Sequence, residues 1–120
     1  MDDGGRLERG ESRATDAMIV RSWSARLPSG NIAKYLAHLD RSVKPAVGAL
    51  PGFVGMTVLR REIEPASSVI NEVVVQTRWA SLDAIHAFAG DDVARAVVEP
   101  DAAALFTDYD RRVVHYEVIG

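Results

Sequence analysis

Between Val73 and Gly90 the hydrophobic pattern changes period within a few residues, and this change restricts the fold more than any other stretch of the chain. Val73, Val74 and Val75 open a β-rich run that ends at Trp79. From Ser81 onward Leu82, Ile85, His86 and Ala89 recur every three or four residues, the spacing of one helix face. Ser81 stands where a side-chain oxygen caps the first turn. A strand that passes straight into a helix at an aromatic residue implies a sheet with helices laid against it, and leaves room for a small pocket at the junction.

The remaining elements follow from the same reading. Met18 to Leu27 is a β-branched and aromatic strand that Pro28-Ser29-Gly30 breaks. Ile32, Tyr35, Leu36, Leu39, Val43 and Val47 then mark a helical stripe, with His38 about 120° off it as a flank histidine partly in water. Pro45 loosens the end of that helix, and Leu50-Pro51-Gly52 turns the chain. Phe53 to Glu62 and Asn71 to Ala80 form an antiparallel pair joined through Ile63 to Ile70. After the helix from Ser81 to near Gly90, Asp91-Asp92 caps a further helical turn through Val98, and Pro100-Asp101 opens another through Phe106. Arg111 to Ile119 is the last strand. The order gives an α+β fold, a ferredoxin-like βαββαβ sandwich with helices on one face of an antiparallel sheet. Residues 1–16 contain almost no apolar side chains and read as a disordered tail, leaving 17–120 as the folded domain and Met18 as the natural start.

Two of the strands are apolar on both sides. By strict alternation the second carries Phe53 and Leu59 on one face and Val54, Met56 and Val58 on the other. The last carries Val114, Tyr116 and Val118 against Val113 and Ile119. One helical layer covers only one of these faces, and each large apolar side chain left in water forfeits about 1.5–3 kcal/mol. A homodimer paired through the second sheet face meets that need.

The charge balance excludes some functions. With 14 Lys and Arg against 17 Asp and Glu there is no basic surface for nucleic acid. No apolar run approaches the roughly 20 residues of a membrane helix, and no signal core precedes the first strand, so a cytoplasmic protein is expected. The absence of cysteine removes disulfides, thiolate metal sites and cysteine nucleophiles. The three histidines lack metal-binding spacing, so a metal site would need acids from separate elements and none is expected.

The candidate site residues come from the strand faces and the histidines. Trp79 shares a face with Thr77, and Trp23 shares one with Arg21; two tryptophans on one layer could stack a flat ligand, or could simply be core. His86, four residues after Leu82, is expected to point toward the sheet, either as a base near neutral pH or as a hydrogen-bonded core histidine. His115 and Tyr116 must point to opposite faces, and the mixed company of His115 makes it the polar participant. The expected catalytic residues are therefore His86 and His115, with Trp79, Trp23, Arg21 and Thr77 contacting a small-molecule ligand.

Pro51-Gly52-Phe53, the run from Thr77-Arg78-Trp79-Ala80-Ser81 into Ala84-Ile85-His86-Ala87-Phe88-Ala89-Gly90, and His115-Tyr116-Glu117-Val118 together resemble the antibiotic biosynthesis monooxygenase family of dimeric α+β barrel proteins. The resemblance spans Met18 to Gly120. It implies an oxygenase acting on an aromatic or quinol-type compound without metal or flavin, in which a phenolate or enolate of the substrate supplies the electrons. In that family an asparagine four residues before the strand-end tryptophan and a tyrosine six after it serve the reaction; here Val75 and Ile85 stand there. The haem-degrading branch uses an asparagine on the first strand, where this chain has Trp23. These departures leave a non-catalytic binding or structural dimer as the alternative, and an isomerase or decarboxylase using the same base as a third reading.

Overall fold

The computed structural model describes residues 17–63 and 69–120. The expected N-terminal tail and most of the connection between the second and third strands lie outside the described residues. The elements are β1 (Ile19–Pro28), α1 (Ile32–His38), a π-helical turn (Leu39–Val43), α2 (Lys44–Gly48), β2 (Phe53–Glu62), β3 (Ile70–Trp79), α3 (Leu82–Ala89), α4 (Pro100–Ala103), β4 (Asp108–Tyr109) and β5 (Val114–Glu117). The strands run in the order β2, β3, β1, and β4 and β5 share the free edge of β1. All pairings are antiparallel. This is the ferredoxin-like arrangement that the element order predicts.

The last strand is divided, and its interruption has a local cause. Tyr109 and Asp108 pair with Ala25 and Arg26, and Val114 to Glu117 pair with Ser22 to Ile19. Between them the chain leaves β1 to bond the segment after α3: Ala96 N–H donates to Arg111 O at 3.0 Å and Val113 N–H to Ala94 O at 2.8 Å. The same pairing replaces the helical turn expected from Asp91 to Val98, which forms turns and a bridge between Arg95 and Arg112 instead. Asp92 does not cap a helix. It holds the Arg112 guanidinium through two bonds of 2.7 and 3.1 Å.

One face of the sheet carries the core. Ile19, Arg21, Ala25 and Leu27 of β1 and Asn71, Val73, Val75, Thr77 and Trp79 of β3 alternate as buried positions, as the pleat requires. They meet the helices in two apolar clusters, one around Leu27, Tyr35, Leu39, Val73 and Ala102, the other around Ile19, Val47, Trp79, Ile85 and Ala89. On β2 a bulge between Phe53 and Gly55 breaks strict alternation. Phe53 therefore lies opposite Trp79 on the helix side, with Met56 opposite Thr77 and Val58 opposite Val75, and Leu59 opposite Val74 on the outer side. The expected pairing of Phe53 with Leu59 on one face is corrected by that extra residue.

The first helical run is also rephased. Four α-helical residues advance about 40° beyond a full turn; the wider π turn, with Lys44 N–H bonded to Leu39 O, works against that drift. Pro45, in the first turn of α2, has no N–H with which to continue a regular ladder. The buried line therefore runs through Tyr35, His38, Leu39 and Val47, while Leu36 is exposed. His38, expected at the wet flank, is buried, because the chain from Val97 to Ala102 approaches it from the other side of a shared cavity.

Candidate functional site

The cavity lies between the sheet and the first helical run, where the two core clusters meet; Val43 and Met56 pack against both clusters and line it. Its volume is about 120 Å³, close to that of engineered cavities which accept a single benzene-sized ring. Most of its wall is apolar, formed by side chains such as Leu39, Val47, Val75, Phe88, Val98 and Ala102. Arg21, Thr77, His38, Tyr35, Ser42 and Glu99 interrupt that wall with polar chemistry.

Arg21 and Thr77 come from the alternation of β1 and β3 and are direct cross-strand partners. Arg21 is only 4% exposed. Its Nη2 donates to Arg95 O at 2.7 Å, and its guanidinium lies 5.4 Å from the ring centre of Phe88. Its Nε has no hydrogen-bond partner. Burial pulls the guanidinium down to about 10, which leaves it charged at neutral pH. Thr77 Oγ1 accepts a 2.8 Å bond from the Trp79 indole N–H, so its own hydroxyl hydrogen remains available as a donor.

His38 and Glu99 form the other polar feature. His38 Nε2 lies 3.2 Å from Glu99 Oε1, and its ring stacks on Tyr35 with centroids 6.4 Å apart. The Glu99 carboxylate thus lies at the Nε2 edge of the ring. Burial pushes the Tyr35 phenol above its usual range, so it stays neutral.

The structure brings three of the expected residues to the cavity. Arg21, Trp23 and Thr77 line it, and Trp23 is fixed by donating from its indole to Asp110 O at 2.6 Å. Trp79 does not reach it: the ring is fully buried against Phe53 and Phe88, with centroids at 5.3 and 5.7 Å. His115 is on the helix side, opposite Arg21 across the β1–β5 pairing, and Tyr116 is on the outer side. His115 Nε2 is buried without a partner, but the residue is not part of the cavity wall. Burial, and then the Arg21 charge, hold its imidazole below the ordinary histidine range.

His86 corrects the expectation about its direction. It is exposed, and its Nδ1–H donates to Gly90 O at 2.9 Å at the end of α3. The apolar face of α3 is centred on Ile85, Phe88 and Ala89, which places His86 about 100° away on the flank. His38, Glu99, Tyr35 and Ser42 are the polar wall residues that the sequence alone did not assign to the site. Tyr35 had a signal in the helical stripe, and His38 follows it at the three-residue spacing of one helix face. The pairing with Glu99, distant in the chain, had none. Among the described residues no group of three or more His, Asp or Glu is placed to hold a metal ion, and no helix is long and apolar enough to cross a membrane.

Solved structures share this fold at low identity. A provisionally named antibiotic biosynthesis monooxygenase from Bacillus cereus superposes with TM-score 0.61 and 18% identity, covering 87% of this chain and 94% of that one. A monooxygenase of Streptomyces coelicolor, solved with the ligand nanaomycin D, gives TM-score 0.57 and 18% identity over 88% and 90% of the two chains. A Nitrosomonas europaea protein of unknown function gives 0.58 and 18% over 88% and 93%. No curated protein matches the chain at a comparable level of significance. Residues 18–100 match the antibiotic biosynthesis monooxygenase family model, and with the fold and the cavity in place the chain belongs to that family.

Proposed function

We propose that the chain is a cytoplasmic, cofactor-independent monooxygenase-like enzyme whose cavity takes a small aromatic or quinol-type compound, with His38 as its base. The observation that carries this reading is the His38–Glu99 pair on the wall of an otherwise apolar, ring-sized cavity. Glu99 orients the imidazole and stabilises the cation it becomes when Nδ1 accepts a substrate hydroxyl proton. The resulting phenolate or enolate is the electron donor to oxygen, and one activated CH₂ group with O₂ gives a carbonyl and water. The apolar wall excludes solvent from that exchange. Oxygen uptake with a panel of phenols and quinols tests the reading. Turnover that falls about 10²–10⁴-fold in His38→Ala is the expected result. Turnover lost instead in His86→Ala would return the base to α3, and no uptake with any compound would remove the oxygenase reading.

A second reading, binding without turnover, is favoured by one observation. Of the two positions where family enzymes place a polar catalytic group, Val75 offers an apolar wall and Ile85 is fully buried in the core. Ligand binding without uptake, product or isomerisation would support it.

The molecule is further proposed to act as a homodimer through the outer sheet face. Leu59, Val114 and Tyr116 are 46%, 54% and 56% exposed there in the single chain.

A further inference from the structure

Arg21 is the one charged group on the cavity wall with no counter-charge among the described residues. An isolated ion removed from water is costly, and buried charges in proteins are ordinarily paired. Among the described residues the acid on the cavity wall is Glu99, and it faces His38. Arg21 uses one donor, to Arg95 O, and its Nε has no partner among the described residues. A guanidinium has five N–H donors in a planar fork, so most of its capacity is unspent. Thr77, its cross-strand partner, adds a hydroxyl whose acceptor side is taken by Trp79.

We propose that the ligand of this cavity is a carboxylate: a ring-sized apolar body against Val47, Val75 and Val98, with the anion received by Arg21 and Thr77. A carboxylate presents two coplanar oxygens that match the guanidinium fork, and its charge supplies what the protein withholds from Arg21. The ligand then brings its own anchor, and His38 faces a substrate already oriented by its acid group. This specifies the substrate class of the site described above and needs only that the cavity binds ligand, not that oxygen is used.

The test is calorimetric titration of the full chain with benzoate and with its neutral isostere benzamide. Benzoate is expected to bind at least about tenfold more tightly. In Arg21→Met, which keeps the length of the side chain without its charge, that preference is expected to vanish while the thermal midpoint is held or raised, since an unpaired buried charge is removed. Should Arg21→Met not fold, Arg21→Lys reads the same contrast: a point charge without the fork reduces the benzoate preference to a few-fold. Equal binding of the two compounds by the wild type overturns the proposal. So does no benzoate binding up to about 10 mM, or a preference unchanged in the variant that folds. Because the readout is affinity, absent oxygen uptake leaves this result standing, and failed benzoate binding leaves the uptake assay with neutral phenols to decide the oxygenase reading separately.

Discussion

Arg21 and His115 show how one neighbour sets another's protonation. They are direct partners across β1 and β5, and the imidazole, partly desolvated and beside a fixed cation, is held neutral below its ordinary range. In the unfolded chain it titrates near 6.5. Between that value and the lower folded one the unfolded state binds more protons, so stability rises with pH in this window. The contribution is fully present above about pH 6.5 and is lost as pH falls through the folded value. Urea midpoints measured from about pH 7.5 down to about pH 5 should fall, and His115→Gln should flatten part of that slope. An identical slope in the variant would remove His115 as its source. At the same scale, Arg21, Thr77 and Trp23 were legible as candidates because alternation puts their side chains on one face. The burial of Trp79 was legible only as one of two options, since a core indole and a pocket indole have the same sequence signature.

α3 is placed at its N-terminal end by features written in the sequence. Ser81 Oγ accepts from Ala84 N–H at 3.2 Å, which satisfies one of the free donors of the first turn. Ser81→Ala is expected to cost about 1 kcal/mol in chemical denaturation with the fold retained; no measurable loss would mean that water replaces the cap. Gly52, with φ +86°, lets the turn before β2 approach this helix, where an added Cβ would fall 2.6 Å from that of Ala84. Helix existence and caps were therefore readable, whereas helix rotation was less so. His86 looked inward because it lies four residues after Leu82, yet Ile85 and Phe88 define the buried face and His86 falls on its flank. The π turn produced the opposite error on α1, leaving Leu36 in water and His38 at the cavity.

At the scale of the whole molecule, the sheet divides the chain into a satisfied side and an unsatisfied one. Helices, core and cavity occupy one face, while Leu59, Val114 and Tyr116 stand exposed on the other. Sedimentation equilibrium is expected to give a dimer. Val114→Lys combined with Tyr116→Lys is expected to give a monomer, because both charges would have to be buried in the paired face. A monomeric wild type would refute the pairing. The cavity is also a whole-molecule feature, since its wall draws on β1, the α1–α2 run, β2, β3, α3 and the chain from Val97 to Ala102.

The sequence by itself determined the alternation of strands and helices, the antiparallel order, the cap at Ser81 and the polar pair Arg21 and Thr77 on an apolar face. These rest on periodicity and local hydrogen bonding, which neighbouring residues specify. Only the tertiary structure decided that His38 is buried against Glu99, that Trp79 belongs to the core, and that His86 turns to its own helix end. Each depends on which segment distant in the chain arrives to desolvate a side chain or to offer it a partner, and burial of that kind has no local signature.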